Sequence, residues 1–467
     1  MLDFSATYTD QYQLAMSQVY FKQGQKDQTA IFDYYFRKLP YNGGYAIFAG
    51  LQDLVQVIEG LRFNEKDLEY LGKQDFDEDF LEYLKNFKFR GNIYSVLEGD
   101  VVFPTRPILQ VEANIIEAQI IETILLNLLN FQTLIATKAS RIKLVSGERS
   151  LLDFGLRRAQ GPGGYYATRA AIIGGFNGTS NVIAGRDFNI PVSGTMAHSF
   201  IQSYDDEINA FRDFAEDRPK DCVLLVDTYD TLKSGVPNAI KVAKEMEERG
   251  QKLMAIRLDS GDLAYLSKES RKMLDKAGLD YVKIAASNQL EEDVIKSLLE
   301  QGARIDIFGV GTNLVIGSPD GALDGVYKLA FSNNKPRIKI SESIVKVTLP
   351  HKKQVYRLKD SYGNCVGGEL IALAEEKDIK EMIHPFESYK QMKVDNLKKE
   401  PLLQPVMING ESKLEQKSLQ EIAKYSADRL SEIPLEYKRF NNPHIYKIGI
   451  SKALMQERDK LIAAFKK

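Results

Sequence analysis

The chain has 467 residues, of which 44% are hydrophobic and 27% charged, with a formal net charge of -2. That balance fits a globular protein with two or three domains and a large core, and it leaves no electrostatic footprint for nucleic acid or a membrane surface. Two cysteines, Cys222 and Cys365, exclude a disulfide framework or a zinc site; no apolar run approaches a membrane span, and the opening MLDFSATYTDQYQL lacks the features of a secretory signal, so a reducing cytoplasm is the expected setting.

Residues 1–90 read as aromatic-rich helical stretches, such as Ala46–Leu61 and Asp77–Phe87, joined by short turns. Tyr12 and Tyr20 lie on a helical pattern and read first as core or subunit contacts. Between Gly91 and Ala113, NIYSVL and ILQVEA predict two strands around a turn with Gly99 and Pro104–Pro107, a small β-rich lobe. Helical periodicity then runs from Ile115 to about Val145, with Ile121, Ile124, Leu125 and Leu128 on one face. Lys138 and Arg141 are spaced to share a face, which suits either a solvated helix flank or a grip on phosphate groups.

From Ser150 onward short apolar strands recur, at Val223–Asp227, Leu253–Asp259, Tyr281–Ser287 and Ile305–Val310. Amphipathic stretches at Asn238–Arg249, Leu263–Ala277 and Glu291–Gln301 separate them, so the repeat predicts parallel strands with crossover helices. Each distinctive polar cluster falls at a strand's C-terminal end: Asp227 with Thr228, Arg257 with Asp259, Ser287 with Asn288, and Gly309 with Gly311. A β/α barrel builds its active site there. After Leu329 come KPRIKI, IVKVTLP and VYRLKD, and the final hundred or so residues read as mixed helix and loop. His351, His384 and His444 sit in predicted turns and read as structural. The expected organisation is α/β: an N-terminal α+β lobe over 1–145, an irregular β/α barrel over 146–330, and a C-terminal extension over 331–467 packed partly back on the N-terminal lobe.

The stretch Leu152–Phe200 concentrates chemistry. It runs from DFGLRRAQGPGG through GGFNGTSNVIAG to GTMAHSF, and combines glycine turns, adjacent arginines and His198. Glycine turns let backbone approach a ligand, arginine offers a planar fork for carboxylate or phosphate, and imidazole can take a proton or a phosphoryl group. These blocks, with TDQYQLAM, RLDSGDL, ASNQL, FGVGTNLV and NPHIYKIGIS, resemble the signature blocks of the nicotinate phosphoribosyltransferase family, in the same order along nearly the whole chain.

The resemblance implies joining nicotinate, through its ring nitrogen, to phosphoribosyl pyrophosphate with release of pyrophosphate, in an irregular barrel of the type II phosphoribosyltransferases. It implies a homodimer with shared sites, in which Tyr12 of one subunit and Phe154 of the other sandwich the pyridine ring. It also implies that His198 is phosphorylated by ATP and that turnover of the phosphohistidine drives synthesis forward. Arg257 is the leading candidate for the carboxylate, with Thr195 and Arg157 close by. Asp227 is the candidate acceptor orienting His198, while Asp259 and Asp262 could meet ribose hydroxyls or a Mg²⁺ carried on pyrophosphate or ATP. Lys138, Ser287, Asn288, Gly309, Gly311 and Thr312 are candidates for the phosphates, and no motif demands a resident protein-only metal site. Ser180, in FNGTS, stands where nicotinamide-using relatives carry aspartate, and a neutral side chain there favours the acid over the amide.

Two further classes fit parts of the pattern. A different β/α-barrel enzyme, such as an aldolase, would want a desolvated lysine, for which Lys283 is the foothold. A non-catalytic binding protein could keep the pocket without turnover, although intact His198, Arg257 and RLDSGD weigh against that.

Overall fold

Alternating apolar strands and amphipathic helices produce an all-parallel sheet in Lys138–Gly321, one of two compact units; the other joins Met1–Thr137 to Ala322–Lys467. The computed structural model describes residues 4–343 and 346–465. The sheet runs in the order Gly178–Thr179, Ser150–Asp153, Ile307–Val310, Lys283–Ser287, Ala255–Leu258, Val223–Leu225. Each neighbouring pair is parallel, which requires long crossover connections. Helices Val236–Glu248, Leu263–Lys276 and Glu292–Glu300 supply three of them, within a few residues of the expected spans. Leu263–Lys276 shows why: Ala264, Ser267, Ser270 and Leu274 are buried at helical spacing, and Asp262 caps the start by accepting the Tyr265 amide at 3.0 Å. Leu224, Ile256 and Ile284 pack with Val242, Met246 and Leu274 in one core, each burial contributing about 2 kcal/mol.

The last strand of the series, Ile307–Val310, pairs with the first, Ser150–Asp153, so the sheet curls round on itself. It forms a half barrel whose edges are Gly178–Thr179 and Val223–Leu225, with a single bridge from Thr179 to Val192 beyond the first edge among the described residues. Among the described residues the hydrogen-bond pattern does not close the ring. Between those edges the chain forms helices Val182–Phe188, His198–Gln202 and Glu207–Asp217 rather than paired strands.

The discontinuous unit holds a seven-stranded antiparallel sheet and a mixed six-stranded sheet. NIYSVL and ILQVEA contribute strands Asn92–Ser95 and Leu109–Asn114, which pair with each other. Thr29–Phe36 is a strand where only helices were expected; it is buried on both faces and so lacks the alternation that marks a half-buried strand. The final hundred or so residues also carry strands, including Cys365–Leu373, Gln404–Ile408 and Lys447–Ser451, beside helices Leu419–Glu432 and Lys452–Phe465. KPRIKI is extended only at Lys335–Pro336, VYRLKD falls largely within Lys353–Lys359, and Ile344 and Val345 of IVKVTLP lie outside the described residues. The expected long helix is split into Ile115–Ile120 and Glu122–Ser146. A buried charge network ties the unit together: Asp100 receives Arg357 at 2.7 Å and Arg429 at 3.0 Å, while Arg357 also reaches Glu369 at 3.0 Å.

Candidate active site

Arg257 and Asp259 are two residues apart at the end of an extended segment, so their side chains project to the same side of the sheet. The Arg257 guanidinium donates through one Nη to Thr195 Oγ1, while its buried Nε has no hydrogen-bond partner. Burial pushes the Arg257 pKa down, Asp259 and Asp227 pull it back up, and the neighbouring Arg157 lowers it again. An anion at Arg257 would offset that burial and take up the unpaired donor. Arg157 itself is exposed, in the 3₁₀ turn Leu156–Arg158.

His198 opens the short helix His198–Gln202, three residues after Thr195, and its side chain is 39% exposed. Its Nδ1 lies 3.1 Å from Thr228 Oγ1, and its Nε2 lies 3.8 Å from Asp259 Oδ2. The orienting partner expected at Asp227 is therefore the next residue in the chain. It is Thr228, in the bend just past the strand Val223–Leu225, that faces the imidazole. Asp227 Oδ2 instead accepts the Asp259 amide at 2.8 Å and Ser260 Oγ at 2.7 Å, leaving Oδ1 buried without a partner. Ser287 Oγ donates to Asp259 Oδ1, so the ends of three adjacent strands converge on one carboxylate pair.

Phe154 follows the strand Ser150–Asp153, its amide donating to Val310 O at 2.8 Å. Gly309 and Gly311 lie against it: a Cβ on Gly309 would come within 2.5 Å of the Phe154 ring, and one on Gly311 within 3.1 Å of its carbonyl oxygen. Gly309 is thus required by the aromatic ring, which accounts for a glycine expected in a phosphate cradle. Ser180 is half-buried and donates its amide to Asp153 O at 2.9 Å and its hydroxyl to the same oxygen at 3.3 Å.

The remaining candidates differ in burial and in their partners. Lys138 is buried and paired with Glu292 at 2.5 Å, and Arg141 meets the same carboxylate at 2.9 Å, so neither expectation for these two, solvated flank or phosphate grip, describes them. A fully buried ammonium needs a charge partner more than it needs a substrate. Asn288 is exposed in a left-handed conformation just past Lys283–Ser287, and Thr312 is exposed at the start of the helix Thr312–Val315. Asp262 is occupied as a helix cap. Lys283 is exposed at the start of its strand, which removes the desolvated lysine an aldolase would need. Tyr12, in the helix Gln11–Lys22 of the other unit, is 52% exposed. His351 contacts Glu457 at 3.3 Å, His384 Nδ1 accepts the Glu387 amide at 3.0 Å, and the His444 ring lies 5.2 Å from Tyr437. Among the described residues no group of three or more His, Cys, Asp or Glu side chains could hold a metal ion.

Two participants were not anticipated. Thr228 was noted only as the companion of Asp227, since a bend just past a strand end gives no alternation to read. Asp153 gave no usable signal, because the first letter of DFG reads equally well as a turn residue.

Models of the nicotinate phosphoribosyltransferase (NAPRTase) N-terminal domain, family and C-terminal domain match residues 7–130, 149–366 and 352–458. A nicotinate phosphoribosyltransferase of Bacillus subtilis is 46% identical over 459 residues, covering 96% of this chain and 93% of its own length. One from Dictyostelium discoideum is 38% identical, covering 96% and 86%. Human nicotinic acid phosphoribosyltransferase superposes with a TM-score of 0.87 at 30% identity, covering 97% of this chain and 99% of that one. A nicotinate-nucleotide pyrophosphorylase from Pyrococcus furiosus gives 0.72 at 26% identity, covering 91% and 95%.

Proposed function

The chain belongs to the nicotinate phosphoribosyltransferase family, and on that premise we propose that it forms nicotinate mononucleotide in NAD synthesis, with ATP turnover coupled through His198. A bond forms between the pyridine nitrogen and C1 of phosphoribosyl pyrophosphate, and the C1–oxygen bond to pyrophosphate breaks. The leaving group is already good, so positioning and electrostatics carry most of the catalysis.

The observation that carries the substrate class is Arg257, at the end of the strand Ala255–Leu258, with its buried Nε unpartnered. A carboxylate on a flat ring would be received there, with Phe154 against one ring face. Ser180 supports the acid over the amide, because its side chain is neutral and the Asp153 carboxylate behind it is buried and accepts from Gly155, Thr168 and Thr179. The phosphates fall to the backbone and side chains around Ser287, Asn288, Gly311 and Thr312, which end or follow the neighbouring strands.

For the ATP half-reaction, an Nδ1–H donated to Thr228 Oγ1 leaves the Nε2 lone pair of His198 free as a nucleophile. Nε2 would bond to the γ-phosphorus as the bond to ADP breaks, and water would later release phosphate from the histidine. Asp227, with its unpartnered Oδ1, and Asp259 fit a Mg²⁺ arriving with pyrophosphate or ATP, an ion that needs one or two protein carboxylates and offsets phosphate charge. The same proposal takes the curled sheet as an irregular β/α barrel, the active form as a homodimer in which exposed Tyr12 reaches the partner's ring site, and the setting as cytoplasmic.

The test is pyrophosphate release with nicotinate, nicotinamide and quinolinate as acceptors, joined to acid-labile phosphate on the protein after ATP treatment. Nicotinate is expected to be the substrate. His198→Ala is expected to keep slow uncoupled transfer and to carry no labile phosphate; full ATP coupling in that variant would defeat the assignment.

A further inference from the structure

Beneath the acceptor side of this site lies a carboxylate that the reaction as described does not use. Asp153 is 1% exposed, at the end of the strand Ser150–Asp153. Its Oδ1 accepts the Gly155 amide at 2.8 Å, which closes the turn immediately after Phe154. Its Oδ2 accepts Thr168 Oγ1 at 2.6 Å, from the helix Gly163–Ile173, and Thr179 Oγ1 at 2.9 Å, from the neighbouring strand Gly178–Thr179. Its own backbone oxygen receives the Ser180 amide and hydroxyl.

The network continues on the far side. Asn181 donates its amide to Thr179 Oγ1 at 3.0 Å and its side chain to Thr168 Oγ1 at 3.2 Å. One residue therefore fastens both segments that carry acceptor contacts, the Phe154 turn and the Ser180 segment, to a common helix. The three groups that Asp153 accepts from are neutral, and burial raises its pKa against their opposing effect. A purely structural role would be filled at lower cost by asparagine, because an ionised carboxylate among neutral donors is expensive to bury. Costly polar groups of this kind persist where a site must be held in one geometry.

We propose that Asp153 is a positioning residue for the pyridine acceptor, setting the Phe154 ring and the Ser180 hydroxyl relative to one another and so fixing both the acceptor affinity and the preference for acid over amide. This rests on the proposed phosphoribosyl transfer to nicotinate. Both Asp153 carboxyl oxygens accept, which turns the two threonine hydroxyls toward it and fixes the direction of each. Asparagine at the same place keeps the shape but presents an NH₂ group to one of these partners, so the hydroxyls must turn and the two segments shift. Displacements well under 1 Å at a ring-stacking contact are enough to weaken binding.

The experiment compares wild type, Asp153→Asn and Thr179→Val in steady-state assays with nicotinate and nicotinamide, alongside thermal unfolding. Wild-type turnover of nicotinate tests the underlying reaction; without it both that reaction and this inference fall. Given that turnover, Asp153→Asn is expected to raise KM for nicotinate about tenfold and to narrow the acid-to-amide ratio. KM for phosphoribosyl pyrophosphate should stay within about twofold, with Tm held or raised. Thr179→Val should shift the nicotinate KM in the same direction. An unchanged nicotinate KM in Asp153→Asn, or equal rises for both substrates with a fall in Tm, would overturn the role. If Asp153→Asn fails to fold, Thr179→Val decides by the same split between the two KM values.

Discussion

Phe154 occupies the space that a side chain on Gly309 would need: a Cβ built there would come within 2.5 Å of two ring carbons. The ring is thereby held by a strand that is adjacent in the sheet but distant in sequence. Gly309→Ala is expected to push the ring outward and raise KM for nicotinate by about 10–100-fold, with a smaller effect on phosphoribosyl pyrophosphate. Steady-state kinetics with each substrate varied in turn checks this. Equal KM changes for both substrates would place Gly309 on the phosphate side instead.

Arg257 presents an unpartnered Nε and one Nη held by Thr195. Lysine keeps the charge but loses the planar fork, so Arg257→Lys should cost about 2–3 kcal/mol in nicotinate binding and leave the protein folded. Calorimetric titration with nicotinate measures that loss directly. Wild-type affinity in the variant would show that the carboxylate binds elsewhere.

Asp100 supplies the clearest pH prediction. Burial alone would raise its pKa, but the Arg357 and Arg429 guanidinium groups hold it down to about 2. In the unfolded chain the group titrates near 4. Between those values the unfolded chain binds more protons, so this contribution is fully present above about pH 5 and is lost as the pH falls through about 2. It amounts to about 2 kcal/mol. Denaturant unfolding from pH 7 to pH 2 should show the loss in wild type. Asp100→Asn should lack this part of the acid limb and be less stable by about 3 kcal/mol at neutral pH, because two arginines lose their shared partner.

Local patterning determined a good deal by itself. Strand–helix alternation after Ser150 sufficed for a parallel sheet with crossover helices, because burial on one helix face writes a helical period into the residues and the strands between stand out as short apolar runs. It also sufficed to put Arg257, Asp259 and Ser287 at the C-terminal ends of neighbouring strands, since parallel strands share a direction. Thr29–Phe36 escaped because a strand buried on both faces has no period to detect. Tertiary structure alone decided the pairings across strands. It put Thr228 rather than Asp227 on His198, drew Lys138 into a buried pair with Glu292, gave Gly309 to the Phe154 ring, and left the sheet open between Thr179 and Val223. Each of these depends on register and on which charges lose water together, and neither quantity is defined until distant segments meet.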